Sequence, residues 1–126
     1  MGAMVLSPTD LRPSSNRQPF FDGWQTEDVS YECRCPSCQE QLTVPFATIH
    51  AGAWGWRERF AAVDVRTIEG FFALGSHSKA LAGGWPSISR IHCEHCGAQF
   101  IFYADFDEYR HSVFRIVAQG LAKRGA

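Results

Sequence analysis

The chain has 126 residues, 45% of them apolar and 20% charged, with a formal net charge of −1. That length holds one hydrophobic core of ordinary size, and that composition excludes wholesale disorder. The balance of charge leaves no basic footprint over the chain as a whole, which argues against a nucleic-acid partner, and no apolar run approaches the roughly 20 residues that a membrane span needs.

Ten Phe, four Trp and three Tyr supply many rings to bury and favour strands wherever they cluster. The N-terminus carries no basic stretch followed by an apolar one, and four of the five cysteines fall in CxxC pairs, a usage suited to a reducing compartment. The expected localisation is cytoplasmic.

In chain order, Met1-Gly2-Ala3 ahead of Met4 reads as a cloning remnant, and residues 1–28 read as a flexible N-terminal arm before a single zinc-binding β domain at 29–126. Ser7 to Pro19 is rich in Pro and Ser and has no apolar periodicity. Phe20-Phe21-Asp22-Gly23-Trp24 interrupts the arm with three aromatics. Such a cluster is either a flap that packs onto the domain or a short segment that docks in a partner's groove.

From Val29 the chain alternates, with Tyr31, Cys33 and Cys35 on one side and Ser30, Glu32 and Arg34 on the other. This predicts a strand that runs into Cys35. Leu42, Val44 and Phe46 continue the period of two after Cys38, so the first CxxC sits at the tip of a hairpin, and Pro45 suits an edge. The stretch Ala61 to Leu74 reads as a second hairpin turning near Gly70, and Ser76 to Gly84 reads as a loop. Ile88 to His92 then leads into Cys93, and Gln99 to Phe106 leads out with Phe100, Phe102 and Phe106 alternating against Ile101, Tyr103 and Asp105. The tail has both a helical stripe (Val113, Ile116, Val117, Leu121) and a strand alternation (Phe114, Ile116, Ala118), and the strand is favoured. The fold class is therefore mainly β, antiparallel sheets pinned by two zinc knuckles in a zinc-ribbon-like arrangement with little helix.

Cys35-Pro36-Ser37-Cys38 and Cys93-Glu94-His95-Cys96 are two tight turns of the kind that brings two thiolates to one ion, and together they complete a closed tetrahedron. Cys35, Cys38, Cys93 and Cys96 are the expected ligands of one structural zinc per chain. Iron in the same sulfur tetrahedron is the competing metal, disfavoured by the long stretch between the pairs. Gly97 follows the second knuckle, where a left-handed backbone frees amides toward sulfur. Cys33 lies outside the four, as a spare ligand, a reactive thiol or a small buried residue. A fully thiolate-bound ion keeps no position for water, so no catalytic residue is assigned.

This layout of two CxxC pairs, intervening hairpins and an aromatic strand after the second pair resembles the β-tent folds over roughly Val29 to Lys123. That group includes the Yippee proteins, the ligand-binding domain of cereblon and methionine sulfoxide reductase B. The cereblon-like members are most similar, through Gly83-Gly84-Trp85-Pro86 before the second CxxC and Phe100-Ile101-Phe102-Tyr103 after it. The resemblance implies an aromatic cage for a cyclic imide. The sequence departs from that pattern with a single Trp before the knuckle and Phe102 after it.

An aromatic-lined pocket from Trp85, Phe102, Trp54 and Trp56 is the expected ligand site, against the alternative that these rings only fill the core. The leading functional expectation is a non-enzymatic zinc-stabilised binding module for a small ligand or peptide. The alternatives are a zinc-ribbon nucleic-acid adaptor using Tyr109 to Arg115 with Lys123 and Arg124, and a thiol-dependent reductase using Cys33. No oligomeric state follows from the sequence.

Overall fold

The structure, a computed structural model, describes residues 4–10, 20–22, 30–75, 84–110 and 113–125. The elements run in the order β1 (Val5–Pro8), β2 (Phe20–Asp22), β3 (Ser30–Arg34), β4 (Gln41–Pro45), α1 (Phe46–Ala53), a 3₁₀ turn (Trp56–Arg59), α2 (Ala62–Phe72), β5 (Trp85–His92), β6 (Gln99–Arg110) and β7 (Val113–Gly125). The protein is mainly β, and every strand pairing is antiparallel.

β5, β6 and β7 form a meander, and the far edge of β7 is shared by two short strands. β1 pairs with Ala122–Gly125, and β2 pairs with Val113–Arg115. Parts of the expected arm are thus strands, because β7 has backbone groups to satisfy along its outer edge. The buried Met4 and the Thr9 hydroxyl, which donates to the Leu121 carbonyl, tie β1 down further. The backbone of Phe20-Phe21-Asp22 pairs with β7, while Trp24 falls outside the described residues. The tail is strand, as the alternation of Phe114, Ile116 and Ala118 predicts.

β6 is buried on both faces, which fits its nearly unbroken apolar run. On one face Phe100, Phe102, Ala104 and Phe106 pack with Ile116 and Leu121 beneath the separate β3–β4 hairpin and α1. Tyr31 of the hairpin meets Phe102 with ring centroids 5.6 Å apart. On the other face Ile101 and Tyr103 pack with Ile88 under Trp56, Phe60 and Ile68.

α1 lies close against β5. Gly52 is the reason: a Cβ there would stand 2.6 Å from the Ile88 carbonyl oxygen and 2.6 Å from the Ser89 hydroxyl. The contact is hydrogen-bonded, with Ser87 Oγ donating to the Ile49 carbonyl at 2.6 Å and Ser89 Oγ donating to that of Thr48 at 3.2 Å. Two buried serines on a strand are thereby matched to two helix carbonyls.

The hairpin expected over Ala61 to Leu74 is instead α2. Val65, Ile68 and Phe72 fall on one helical side and pack into the second core. Gly70 is not a turn. The helix ends one residue after Phe72 in a Schellman motif, with Ala73 left-handed at φ 53°, Leu74 N–H on the Glu69 carbonyl and Ala73 N–H on that of Gly70. The β-branched residues suggested strands, and neither end carries a side-chain cap or a terminal glycine. Burial against β6 decides the helix. The loop expected at Ser76 to Gly84 lies outside the described residues up to Gly83.

Candidate metal centre

The two cysteine knuckles close two hairpins in the same way. β3 and β4 end their register at Arg34 and Gln41, and β5 and β6 begin theirs at His92 and Gln99. Each six-residue loop carries the same two backbone bonds. Cys35 N–H donates to the Glu40 carbonyl at 2.8 Å and Gln39 N–H to the Cys35 carbonyl at 2.8 Å. Cys93 N–H donates to the Ala98 carbonyl at 2.9 Å and Gly97 N–H to the Cys93 carbonyl at 2.8 Å. The fifth residue is left-handed in both, Gln39 at φ 68° and Gly97 at φ 76°. Glycine adopts that conformation without cost, whereas glutamine is strained there.

The knuckles meet tip to tip. Cys35 Sγ is 3.8 Å from Cys96 Sγ, Cys38 Sγ is 3.7 Å from Cys93 Sγ, and all four sulfurs lie within 4.8 Å of one another. A tetrahedral zinc thiolate has metal–sulfur bonds of about 2.3 Å and hence sulfur–sulfur edges of about 3.8 Å, so this spacing fits one such ion. Cys35 and Cys93 are fully buried, Cys38 is half-buried and Cys96 exposed. Each hairpin thus contributes one sulfur from the core and one from the rim.

Two of the four thiols are shifted, in opposite directions. The Cys38 thiol is pushed up to about 12: the backbone of Glu40 favours its thiolate, but burial and the thiols of Cys93, Cys35 and Cys96 prevail. The Cys93 thiol is brought down to about 7, where burial opposes ionisation but the backbone amides of Cys96 and His95 and the thiols of Cys38 and Cys35 outweigh it. Thiolates held this close would repel one another, and a bound cation would offset that repulsion.

Cys33 joins no sulfur cluster among the described residues. It is fully buried in the core with Leu42 and Val44, and burial, then the neighbouring Cys35, raises its thiol to about 11.

The expected aromatic site divides. Trp54 and Trp85 come together edge-to-face at 5.1 Å, and Trp54, 47% exposed, donates its indole N–H to His50 Nε2 at 3.1 Å. Trp56 and Trp85 line one recess of about 290 Å³ with Gly55, Arg57, Glu58 and Pro86. Phe102 does not belong to it. It is fully buried against Tyr31 between the hairpin and the main sheet, so this ring fills core as the competing reading had it.

His50 is the residue that sequence reasoning missed. It stands among Phe46, Trp54, Phe106 and Phe114 at centroid distances of 5.6–5.9 Å. Its spacing of four from Phe46 and Trp54 would have revealed it once 46–53 was read as helix. A second feature it missed is the Tyr103–Asp105–Gln119 network. Tyr103 Oη donates to Asp105 Oδ1 at 2.9 Å and Gln119 Nε2 to Oδ2 at 3.1 Å. Gln119 is the extra residue where the β6–β7 register shifts beside Tyr103, and that bulge turns its amide inward. Burial, then the Asp105 carboxylate, holds the Tyr103 phenol well above its usual value.

The basic tail does not form one surface. Arg115 is paired with Asp107 at 3.2 Å, Arg124 is bound to Gln99 at 2.8 Å, and adjacent Lys123 and Arg124 alternate across the strand. The side chains of Tyr109 and Arg110 lie outside the described residues. No helix among the described residues is long and apolar enough to cross a membrane.

No family model, no curated protein and no solved structure matches the chain.

Proposed function

We propose that the protein is a non-enzymatic, zinc-stabilised binding module of β-tent type, in which one zinc on Cys35, Cys38, Cys93 and Cys96 fastens the β3–β4 hairpin to the β5–β7 sheet. The observation that carries the reading is the sulfur tetrahedron spanning two otherwise separate sheets. An ion held by four thiolates has no open position for water or substrate, and its binding energy goes into the fold. The buried Cys33 thiol supports no nucleophilic role, and the paired, divided basic tail gives no support to a nucleic-acid adaptor.

The ligand-facing part of the module is the recess beside Trp54, Trp56 and Trp85, which takes a small ligand or a peptide segment. Trp56 and Trp85 line the recess itself and supply apolar ring surface to it. Exposed Trp54 supplies a ring face beside it.

Elemental mass spectrometry and thermal melting before and after chelation test the metal. One zinc per chain, with loss of the cooperative melt on chelation and in Cys38→Ser and Cys96→Ser, is the expected outcome. Structural zinc binding of roughly 10–16 kcal/mol is comparable to the whole stability of a domain. Iron in the purified protein, or an unchanged melt after the metal is removed, would sink the reading. Tryptophan fluorescence against a panel of cyclic imides, methylated amines and peptides, repeated in Trp54→Ala, tests the recess.

A further inference from the structure

The described arginines differ in what they are bonded to. Arg57 is paired with Glu69 at 2.9 Å and Arg115 with Asp107, Arg34 donates to the Gln39 carbonyl at 3.3 Å, and Arg124 is held by Gln99. Among the described residues Arg66 of α2 has no carboxylate or carbonyl partner, and neither do Arg59 and Arg90. Arg59 and Arg90 line one cleft of about 370 Å³ between α1, the 3₁₀ turn and β5. No acidic side chain lines that cleft, and it shares no residue with the aromatic recess.

The sequence opens this space and orients its charges. Ala47, Ala51 and Gly52 put only small groups on the α1 wall, and the close approach of Gly52 to β5 sets the floor beside Ile88. Arg90 lies over the Phe60 ring with Cζ 4.1 Å from its centroid. Stacking occupies a face of the guanidinium and leaves its N–H edge available. Ser89 spends its hydroxyl proton on the Thr48 carbonyl and can only accept, while the Thr48 hydroxyl has no partner among the described residues. The donors offered to the cleft are therefore two guanidiniums and one hydroxyl.

We propose that this cleft binds the phosphate group of a small organic phosphate. Two unpaired cations match a dianion, and two guanidinium forks with a hydroxyl match three terminal oxygens, whereas a single fork already saturates a carboxylate. The volume falls at the lower end of the roughly 300–1,000 Å³ of ligand pockets, which leaves room for an organic body against Ala47, Ala51 and Ile88.

The test is calorimetric titration of the metal-loaded full chain with phenyl phosphate at constant ionic strength. Saturable binding is expected, weakened at least about tenfold by Arg90→Gln and by Arg59→Gln. Arg90→Lys, which keeps the charge but loses the fork, should weaken it less than Arg90→Gln. Arg66→Gln, an exposed arginine of α2 outside the cleft, should leave it unchanged. Non-saturable binding, or equal affinity in Arg90→Gln, overturns the proposal. Benzoate binding as tightly as phenyl phosphate overturns the phosphate assignment, and decathymidylate binding more tightly than phenyl phosphate overturns the small-molecule cleft in favour of a strand-tracking surface. Arg59 and Arg90 are both exposed, and Arg59→Gln carries the test if Arg90→Gln melts abnormally.

Discussion

Replacing Gly70 by Ala should stabilise the protein and replacing Gly52 by Ala should destabilise it, although both glycines sit in helices. At Gly70 an added Cβ meets nothing within 4 Å and the backbone is not left-handed, so the change gains only what alanine offers a helix, about 0.5–1 kcal/mol. At Gly52 the same Cβ meets the Ile88 carbonyl oxygen at 2.6 Å and the hydroxyls of Ser89 and Ser87 at 2.6 and 2.8 Å. α1 must then move off β5. Such overpacking costs about 1–3 kcal/mol, and the two serine–carbonyl bonds put about 1 kcal/mol each at risk. After the helix-propensity gain the expected loss is about 2–4 kcal/mol. Equilibrium urea unfolding followed by circular dichroism, with zinc in fixed excess, reads both changes as midpoint shifts. Destabilisation by Gly70→Ala would mean that the chain turns there and α2 is misassigned. A neutral Gly52→Ala would remove the close α1–β5 contact that also floors the Arg59–Arg90 cleft.

The two knuckles provide a matched pair. Gln39→Gly should stabilise by about 0.5–1 kcal/mol by relieving a left-handed glutamine, and Gly97→Ala should cost about 1 kcal/mol; urea midpoints of the zinc-loaded variants check both, and a destabilised Gln39→Gly would contradict the shared loop geometry. Alkaline pH should weaken the fold. Burial, then the neighbouring Cys33, pushes the Tyr31 phenol from 10.0 up to about 12, so its contribution is fully present below pH 10 and is lost as pH rises toward 12. Tyr31→Phe should flatten that part of the stability–pH curve, and an unchanged slope between pH 10 and 12 would rule the contribution out.

The four clustered cysteines were legible because CxxC spacing is a local property. Two residues between thiols make a turn whose sulfurs converge whatever surrounds it, and the strands on either side showed a period of two in Tyr31, Cys33, Leu42 and Val44. That the two turns face one another was a reasonable expectation, but the distances between Cys35 and Cys96 and between Cys38 and Cys93 are facts of tertiary structure.

α2 was illegible for the opposite reason. Val63, Val65, Thr67 and Ile68 prefer strands, Ala73 closes the helix where glycine would have announced the end, and only the Ile101–Tyr103 face of β6 makes the Val65–Ile68–Phe72 side profitable to bury. The aromatic residues show the same division. Composition announced surplus aromatics, yet nothing local to Phe102 says core or to Trp54 says surface. Which ring is exposed depends on what packs above it, and that is set by residues far away along the chain.

The sequence by itself therefore determined the sulfur donor set, the β character and the strands flanking each knuckle, since each rests on neighbours within a few residues. Only the tertiary structure decided the helix over β6, the sorting of Trp54, Trp56 and Trp85 from Phe102, and the placing of Arg59 and Arg90 on one cleft. Those outcomes depend on burial and charge pairing between elements that the chain holds apart until it folds.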